Sequence, residues 1–343
     1  MKSQLTSQHL PVTRAAVLQL AVGALERLGL PPKPYASRAG VPHGLLDCDP
    51  EALVPIPSVY RLFQESGHDV DGFGAIAAEV PLEATGQYGR LVRGGLTVLD
   101  GLERALAFAP DLGRMHAARL VRDPKTGGVW IARRPSKLIN SVPQDEMLVV
   151  RFMIQIAQLA AGPDWKPEAL RFGSVAEATR ALESVPTFHG VRAETGASWG
   201  GVLFPRETLG LLLPEMECGA LDDVESWHHE GPAGSLAVSL RQLLLSQLRA
   251  NPKFSIFSIA ESVEMHPRTM QRRLEREGVS YRAVLDQARY VRARELIIRH
   301  RDVSLTEIAH ELGYGDLAAF SRAFRRWSGA PPSELRLRLD MDS

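Results

Sequence analysis

Two copies of one local pattern, held apart by twenty residues without glycine or proline, constrain this 343-residue chain more than any other feature. In the first copy Ile256, Ile259, Ala260 and Val263 keep the spacing of a short amphipathic helix within Phe254–Val263. The chain passes through Glu261–Met265 and resumes at His266–Arg276, where Pro267 suits the first position of a new helix because its missing N–H costs nothing there. Met270 and Leu274 lie four apart and face inward, which leaves Arg268, Thr269, Gln271 and Arg272 on the other side. In the second copy Ser304 and Glu307 form a capping-box pair ahead of the stripe Leu305, Ile308, Ala309 and Leu312. Gly313 is placed to end that helix in a left-handed conformation and Asp316 to cap the next. Phe320, Phe324 and Trp327 then face inward, with Ser321, Arg322 and Arg325 outward.

Each copy therefore reads as a helix–turn–helix. Between them, Tyr281–His300 keeps the helical stripe Val284, Leu285, Ala288, Val291 and Leu296. Twenty residues make a rod of roughly 30 Å, close to the roughly 34 Å of one DNA turn. Such a rod sets two reading helices in successive major grooves on one face of a duplex. The outward side chains have the chemistry for groove reading, since Arg forks onto guanine, Gln onto adenine, and Thr meets a thymine methyl or a phosphate. Arg268, Thr269, Gln271 and Arg272 are thus candidates for base reading. Arg273 and Arg276, with Ser321, Arg322 and Arg325 of the second helix, are candidates for contacts to the backbone.

Charge supports the same division. The formal net charge is zero, yet residues 251–338 hold 15 Arg and one Lys against 11 carboxylates, a net of +5, which leaves −5 on the rest. A basic module beside an acidic remainder suits a nucleic-acid binder joined to a partner domain that does not bind nucleic acid.

The segment Phe254–Arg336 resembles the DNA-binding domain of the AraC/XylS family of bacterial transcription regulators. The residues that carry the likeness are Ala260 with Gln271–Leu274, then Ile308-Ala309, Leu312–Tyr314, Phe320–Phe324 and Gly329–Pro332 followed by Arg336. Some positions depart from the family pattern. Glu264 stands where the first turn often has Gly, and His266 where Ser usually caps the reading helix. Leu317 and Ala318 replace polar residues, and Leu335 replaces an aromatic. The departures at 317 and 318 favour one reading helix, from His266, and one backbone clamp, from Leu317. The resemblance implies promoter DNA, a small-molecule effector, RNA polymerase and a second copy of the chain as partners, in the cytoplasm, with no cofactor, metal or membrane.

Upstream, residues 1–12 read as a loose tail and Thr13–Leu28 as a helix closed by Gly29 and Pro31-Pro32. Helices are also expected over Pro34–Gly44, from Pro55-Ile-Pro57 to Gln64, over Gly72–Val80, Leu99–Phe108, Glu146–Ala161 and Val175–Ser184. Ala117–Val121, Gly128–Arg133, Pro167–Phe172, Gly190–Glu194 and Trp199–Phe204 read as strands. This order predicts an α+β domain with an antiparallel or mixed sheet. It also resembles the N-terminal sensor domain of one branch of the same family. The expected organisation is an α+β effector-binding and dimerisation domain at 13–227, a polar, breaker-rich linker at 228–234, and an all-α double helix–turn–helix domain at 235–338.

Other chemistry is weakly supported. His228-His229-Glu230 has no second cluster to complete a metal site and reads as solvated linker. Trp130, Trp165 and Trp199 read as core rather than pocket lining. A DNA-repair enzyme with this module as an accessory needs a reactive cysteine, whereas Cys48 and Cys218 each lie beside carboxylates that raise a thiol pKa. A purely architectural DNA binder is the other alternative.

Overall fold

The computed structural model describes residues 9–341 apart from 71–72, 74–76, 78–79, 114–116, 135–142, 173–178, 180–181, 184–185, 197, 215–223, 230, 233, 251 and 301. The helices expected over Gly72–Val80 and Val175–Ser184 lie largely outside the described residues.

The first part of the chain runs β1 (Val12–Arg14), α1 (Ala15–Arg27), α2 (Pro32–Arg38), β2 (Leu53–Pro55), α3 (Ile56–Asp69), α4 (Gln87–Arg93), α5 (Val98–Leu112), β3 (Ala117–Arg122) and β4 (Val129–Arg134). It continues with α6 (Pro143–Ala161), β5 (Ala169–Arg171), β6 (Arg192–Glu194), β7 (Gly200–Phe204), α7 (Arg206–Leu209) and α8 (Val224–His229). Strands β3 to β7 form one mixed sheet in the order β3-β4-β7-β5-β6, in which only β5 and β6 are parallel. The turn at Asp123 makes the first hairpin. Its carboxylate accepts from the Lys125 and Thr126 amides and from Trp130 Nε1, and Gly127 takes the left-handed φ of 73° that the turn requires.

Register sorts the sheet's two faces with period two. Ile131, Val202 and Leu170 are cross-strand neighbours and enter the main core beneath α6. Trp130, Leu203 and Ala169 point the other way into a small cluster. Arg171 closes that cluster, its guanidinium 4.1 Å from the Trp130 ring and 3.8 Å from Trp199. Trp165 stacks on Phe204 and donates to Thr208 Oγ1. All three tryptophans are therefore structural, as their spacing suggests.

The second part is helical throughout: α9 (Leu236–Ala250), α10 (Ile256–Ser262), α11 (Pro267–Arg276), α12 (Tyr281–Arg299), α13 (Leu305–Glu311), α14 (Leu317–Ser328) and α15 (Pro332–Met341). The α+β order followed by an all-α segment matches the sequence expectation. Leu240, Leu244 and Leu248 of α9 are fully buried, each contributing about 1.5–3 kcal/mol of apolar transfer. Glu295 of α12 ties this frame together by accepting from Arg249 of α9 at 2.9 Å and Arg292 at 3.1 Å, while Arg292 also reaches Glu311 of α13.

Two expectations fail at the junction of the two parts. Residues 10–12 are not loose tail: Leu10 and Val12 are 2% and 0% exposed, and with Leu53 they fill a core shared with Leu236–Leu248, Ile259, Met270 and Leu274. The first helix starts at Ala15, because Val12–Arg14 pairs antiparallel with Leu53–Pro55. The 228–234 stretch begins in a helix, and its two histidines are exposed. His228 and His229 are helical, His228 Nδ1 lies 2.7 Å from the buried Asp111 carboxylate, and Gly231 and Pro232 are buried. Glu230 lies outside the described residues.

Arg14 is the centre of this junction. It is 3% exposed and donates to the carbonyls of Asp111 at 2.9 Å, Glu51 at 2.9 Å and Trp227 at 2.5 Å. Its guanidinium lies 3.3 Å from the Glu51 carboxylate and 4.2 Å from the Trp227 ring centroid. Glu51 in turn accepts from Trp227 Nε1. Replacing Arg14 with Met keeps much of the volume but strands Glu51 and three carbonyls, so the variant is expected to lose about 3–5 kcal/mol in denaturant unfolding; a loss under about 1 kcal/mol contradicts this role.

Acid should loosen the helical frame. Burial pushes the Glu295 carboxyl up, but hydrogen bonds and charge from Arg249 and Arg292 outweigh it and hold the group below its ordinary 4.5. Its contribution is then present above pH 4.5 and is lost as pH falls through the lower folded value. Urea midpoints of the native chain and Glu295→Gln should differ at about pH 7 and converge at about pH 3; a gap independent of pH contradicts the assignment.

Candidate DNA-binding surface

Each helix–turn–helix is assembled from local bonds. In the first, Ser255 Oγ accepts from the Ser258 amide and Ser258 Oγ accepts from the Ser255 amide, a reciprocal cap that starts α10. Ser-x-x-Ser is a weaker signal than Ser-x-x-Glu, and the sequence alone does not announce this cap. Ile259 and Ala260 are buried, and the Met265 amide donates back to the Ala260 carbonyl at 2.8 Å. Glu264 at the turn takes φ 50°, and it is the one non-glycine residue with positive φ among those described. A side chain there crowds the following carbonyl. His266 caps α11, its Nδ1 accepting from the Arg268 amide at 3.2 Å.

Met270 and Leu274 anchor α11, both 0% exposed. Arg268, Gln271 and Arg272, at i, i+3 and i+4, are exposed on the opposite side, and Thr269 is half-buried at its edge. Arg276 is exposed. Arg273 is half-buried with Nη1 lacking a hydrogen-bond partner within the protein. Burial and the neighbouring Arg272 and Arg276 charges pull the Arg273 pKa down. Four guanidinium groups thus crowd one short helix. Glu277, at its C-terminal end, is turned away from them and accepts from the Leu236 and Ala237 amides at 3.0 Å each, capping α9.

The second unit forms as its caps and glycine imply. Ser304 and Glu307 make the capping box, and hydrogen bonds from Ser304 hold the Glu307 carboxyl below its ordinary value. Gly313 ends α13 at φ 78°, with the Tyr314 amide bonded to the Ala309 carbonyl. Asp316 accepts from the Ala319 amide at 2.6 Å to start α14. Phe320 and Phe324 are buried, and the half-buried Trp327 joins them with Tyr290 and Tyr314 in one aromatic cluster. Arg322 and Arg325 are exposed, Ser321 is half-buried, and Leu317 and Ala318 present an apolar tip to solvent. The linker helix is one residue shorter than expected, Tyr281–Arg299, a rod of roughly 29 Å.

Ion pairing divides the arginines into two sets. Arg249, Arg292, Arg299 and Arg326 each meet a carboxylate of this module. Among the described residues Arg268, Arg272, Arg276, Arg322 and Arg325 meet none. Arg282, at the start of the linker helix, is likewise exposed and unpaired, and no motif in the sequence singles it out. Cys48 is buried and donates to the Leu45 carbonyl, and burial together with Asp49 pushes its thiol up to about 11, unsuited to nucleophilic work. Cys218 lies outside the described residues.

Residues 259–338 match the model of a helix-turn-helix domain, and residues 29–213 match that of the N-terminal arabinose-binding domain of the AraC transcription regulator. The second match alone covers more than half of the chain, and the protein belongs to the AraC family of transcription regulators. It is 24% identical to the HTH-type transcriptional regulator VirS of Mycobacterium tuberculosis over 91% of this chain and 92% of that one. A stretch of 161 residues is 37% identical to another HTH-type transcriptional regulator of M. tuberculosis, covering 45% of this chain and 44% of that relative. The crystal structure of the transcriptional regulator CdpR from Pseudomonas aeruginosa aligns over 93% of this chain and 96% of that one with a TM-score of 0.38 and 21% identity.

The two turns make opposite predictions. Glu264→Gly should stabilise the chain by about 0.5–1 kcal/mol, the relief of a left-handed side chain less the extra freedom of unfolded glycine. Gly313→Ala should destabilise it, since a Cβ there meets the Pro252 carbonyl oxygen at 2.9 Å and the φ is unfavourable. Guanidinium unfolding of both variants checks the signs.

Proposed function

We propose that the chain is a ligand-responsive, sequence-specific regulator whose residues 235–338 bind promoter DNA and whose residues 13–227 receive a small effector and pair with a second copy, joined through 228–234. The observation that carries the DNA half is the set of exposed arginines on α11 and α14 that meet no carboxylate among the described residues, in a module where Arg249, Arg292 and Arg326 each meet one. Such groups exchange condensed counterions for phosphates and make affinity salt-dependent. Arg268, Thr269, Gln271 and Arg272 read base edges. Arg273 and Arg276 on the same helix, and Ser321, Arg322 and Arg325 on α14, hold the backbone. The apolar tip at Leu317-Ala318 lacks hydrogen-bonding groups for base edges, which supports one reader and one clamp. The effector acts by binding two arrangements of the chain unequally, because equal affinity for both shifts nothing.

The test is a selection of binding sites with the full chain followed by titrations. Gln271→Ala and Arg272→Ala should each cost about 1–3 kcal/mol of discrimination between cognate and scrambled sites. Arg322→Ala should weaken both sites alike and reduce the salt slope by about one. Equal weakening in the α11 variants, or an altered site preference in Arg322→Ala, reverses the assignment.

A further inference from the structure

A cavity of about 100 Å³ that opens to solvent lies in the N-terminal part between α1, α5 and α6, walled by Val17, Leu20, Leu106, Phe152 and Met153. Among the described residues no charged side chain lines it. It contains two hydroxyls, and both are spent: Thr85 Oγ1 donates to the Leu82 carbonyl and Tyr88 Oη donates to the Ala105 carbonyl at 2.9 Å. The Tyr88 side chain is buried and its pKa is pushed up by that burial, so it stays neutral. Against these described side chains a sugar or an amino acid loses the water on its polar groups and finds no free donor or charge in return, which disfavours it strongly. An apolar body loses nothing of that kind. Dry cavities of about 150 Å³ take up single-ring hydrocarbons, and this one is open at one end for a longer chain.

One wall of the cavity leads toward the DNA-binding half. Leu112 and Gly113 line it, and both touch Thr13: Thr13 Oγ1 donates to the Leu112 carbonyl at 2.8 Å, and Thr13 and Gly113 form a β-bridge. The approach is so close that a Cβ on Gly113 would lie 2.5 Å from Thr13 Oγ1. Thr13 sits beside Val12, which is in the core shared with α9 and both helices of the first helix–turn–helix. A ligand that shifts the end of α5 therefore moves a strand embedded in the reading module.

We infer that this cavity is the effector site and that it takes a small, uncharged, apolar molecule (an aliphatic or single-ring aromatic body), not a sugar, with Thr13 passing its occupancy to the DNA-binding half. The inference rests on the regulator reading above, and DNA binding by the ligand-free chain is measured in parallel. Full-length protein is titrated with toluene, 1-hexanol and 1-octanol, with L-arabinose as the polar control, and followed by thermal unfolding and by affinity for a selected DNA site. The apolar probes should raise Tm saturably by a few degrees and change DNA affinity several-fold, and arabinose should do neither. Ala109→Phe and Val149→Phe, which fill the cavity from different walls, should abolish the Tm rise while retaining DNA binding, so failure of one variant to fold leaves the other. Thr13→Val should keep the Tm rise and bring the ligand's effect on DNA affinity toward one-fold. A Tm rise with arabinose alone, no saturable rise with any apolar probe, or a rise that survives both filling variants overturns the site. A Thr13→Val chain that responds like the native one overturns the coupling. Absence of DNA binding altogether sinks the regulator reading, while the thermal data still decide the cavity.

Discussion

Burial of one guanidinium fixes how the parts of this chain meet. A charge removed from water needs a counter-ion and a full set of fixed acceptors, or it costs several kcal/mol. Arg14 finds acceptors where three segments converge, 37, 97 and 213 residues further along the chain. That convergence holds β1 against the end of α5 and the start of the path to α9. Because β1 is held there, Leu10 and Val12 are delivered into the leucine face of α9, and the α9–α11 packing is completed by residues from the opposite end of the sequence.

A second constraint is the allocation of carboxylates in the helical part. Glu295, Glu311 and Asp286 neutralise arginines that brace helix against helix. Glu277 is spent on the amide dipoles at the start of α9, where a negative charge is favoured. These acidic residues of a module with a modest net charge are thus used internally, and exposed arginines without a carboxylate partner among the described residues remain on α11, on α14 and, at Arg282, on α12.

What is legible in the sequence is local. Caps, turn glycine and 3.6-residue periodicity encode the two helix–turn–helix units within about twenty residues each, so α10 to α14 fall where the pattern puts them. Outward and inward sides of α11 follow from Met270 and Leu274 alone. Strands such as β7 also show as short apolar runs, although their order requires pairing across long separations. The junction is hidden for the same reason. A three-residue strand such as Val12–Arg14 has no periodicity, and its pairing with Leu53–Pro55 follows from burial that only the assembled core supplies. The ion pair of the exposed His228 is hidden in the sequence because its partner, Asp111, lies more than a hundred residues away. Ser258 as a capping partner and Glu264 in a left-handed turn are local, but they use residue types that the usual signals pass over.

The shared core has a consequence for how such a protein can be divided. Cutting the chain at the glycine- and proline-containing stretch before α9 separates the proposed effector-binding part from the helix-turn-helix part, yet it leaves Leu236, Leu240 and Leu243 without the residues that cover them. The division of labour and the division of folding therefore run along different lines. A DNA-binding half exchanged between family members by recombination would carry an exposed apolar seam unless the N-terminal segment of its original host, through Leu53, travelled with it.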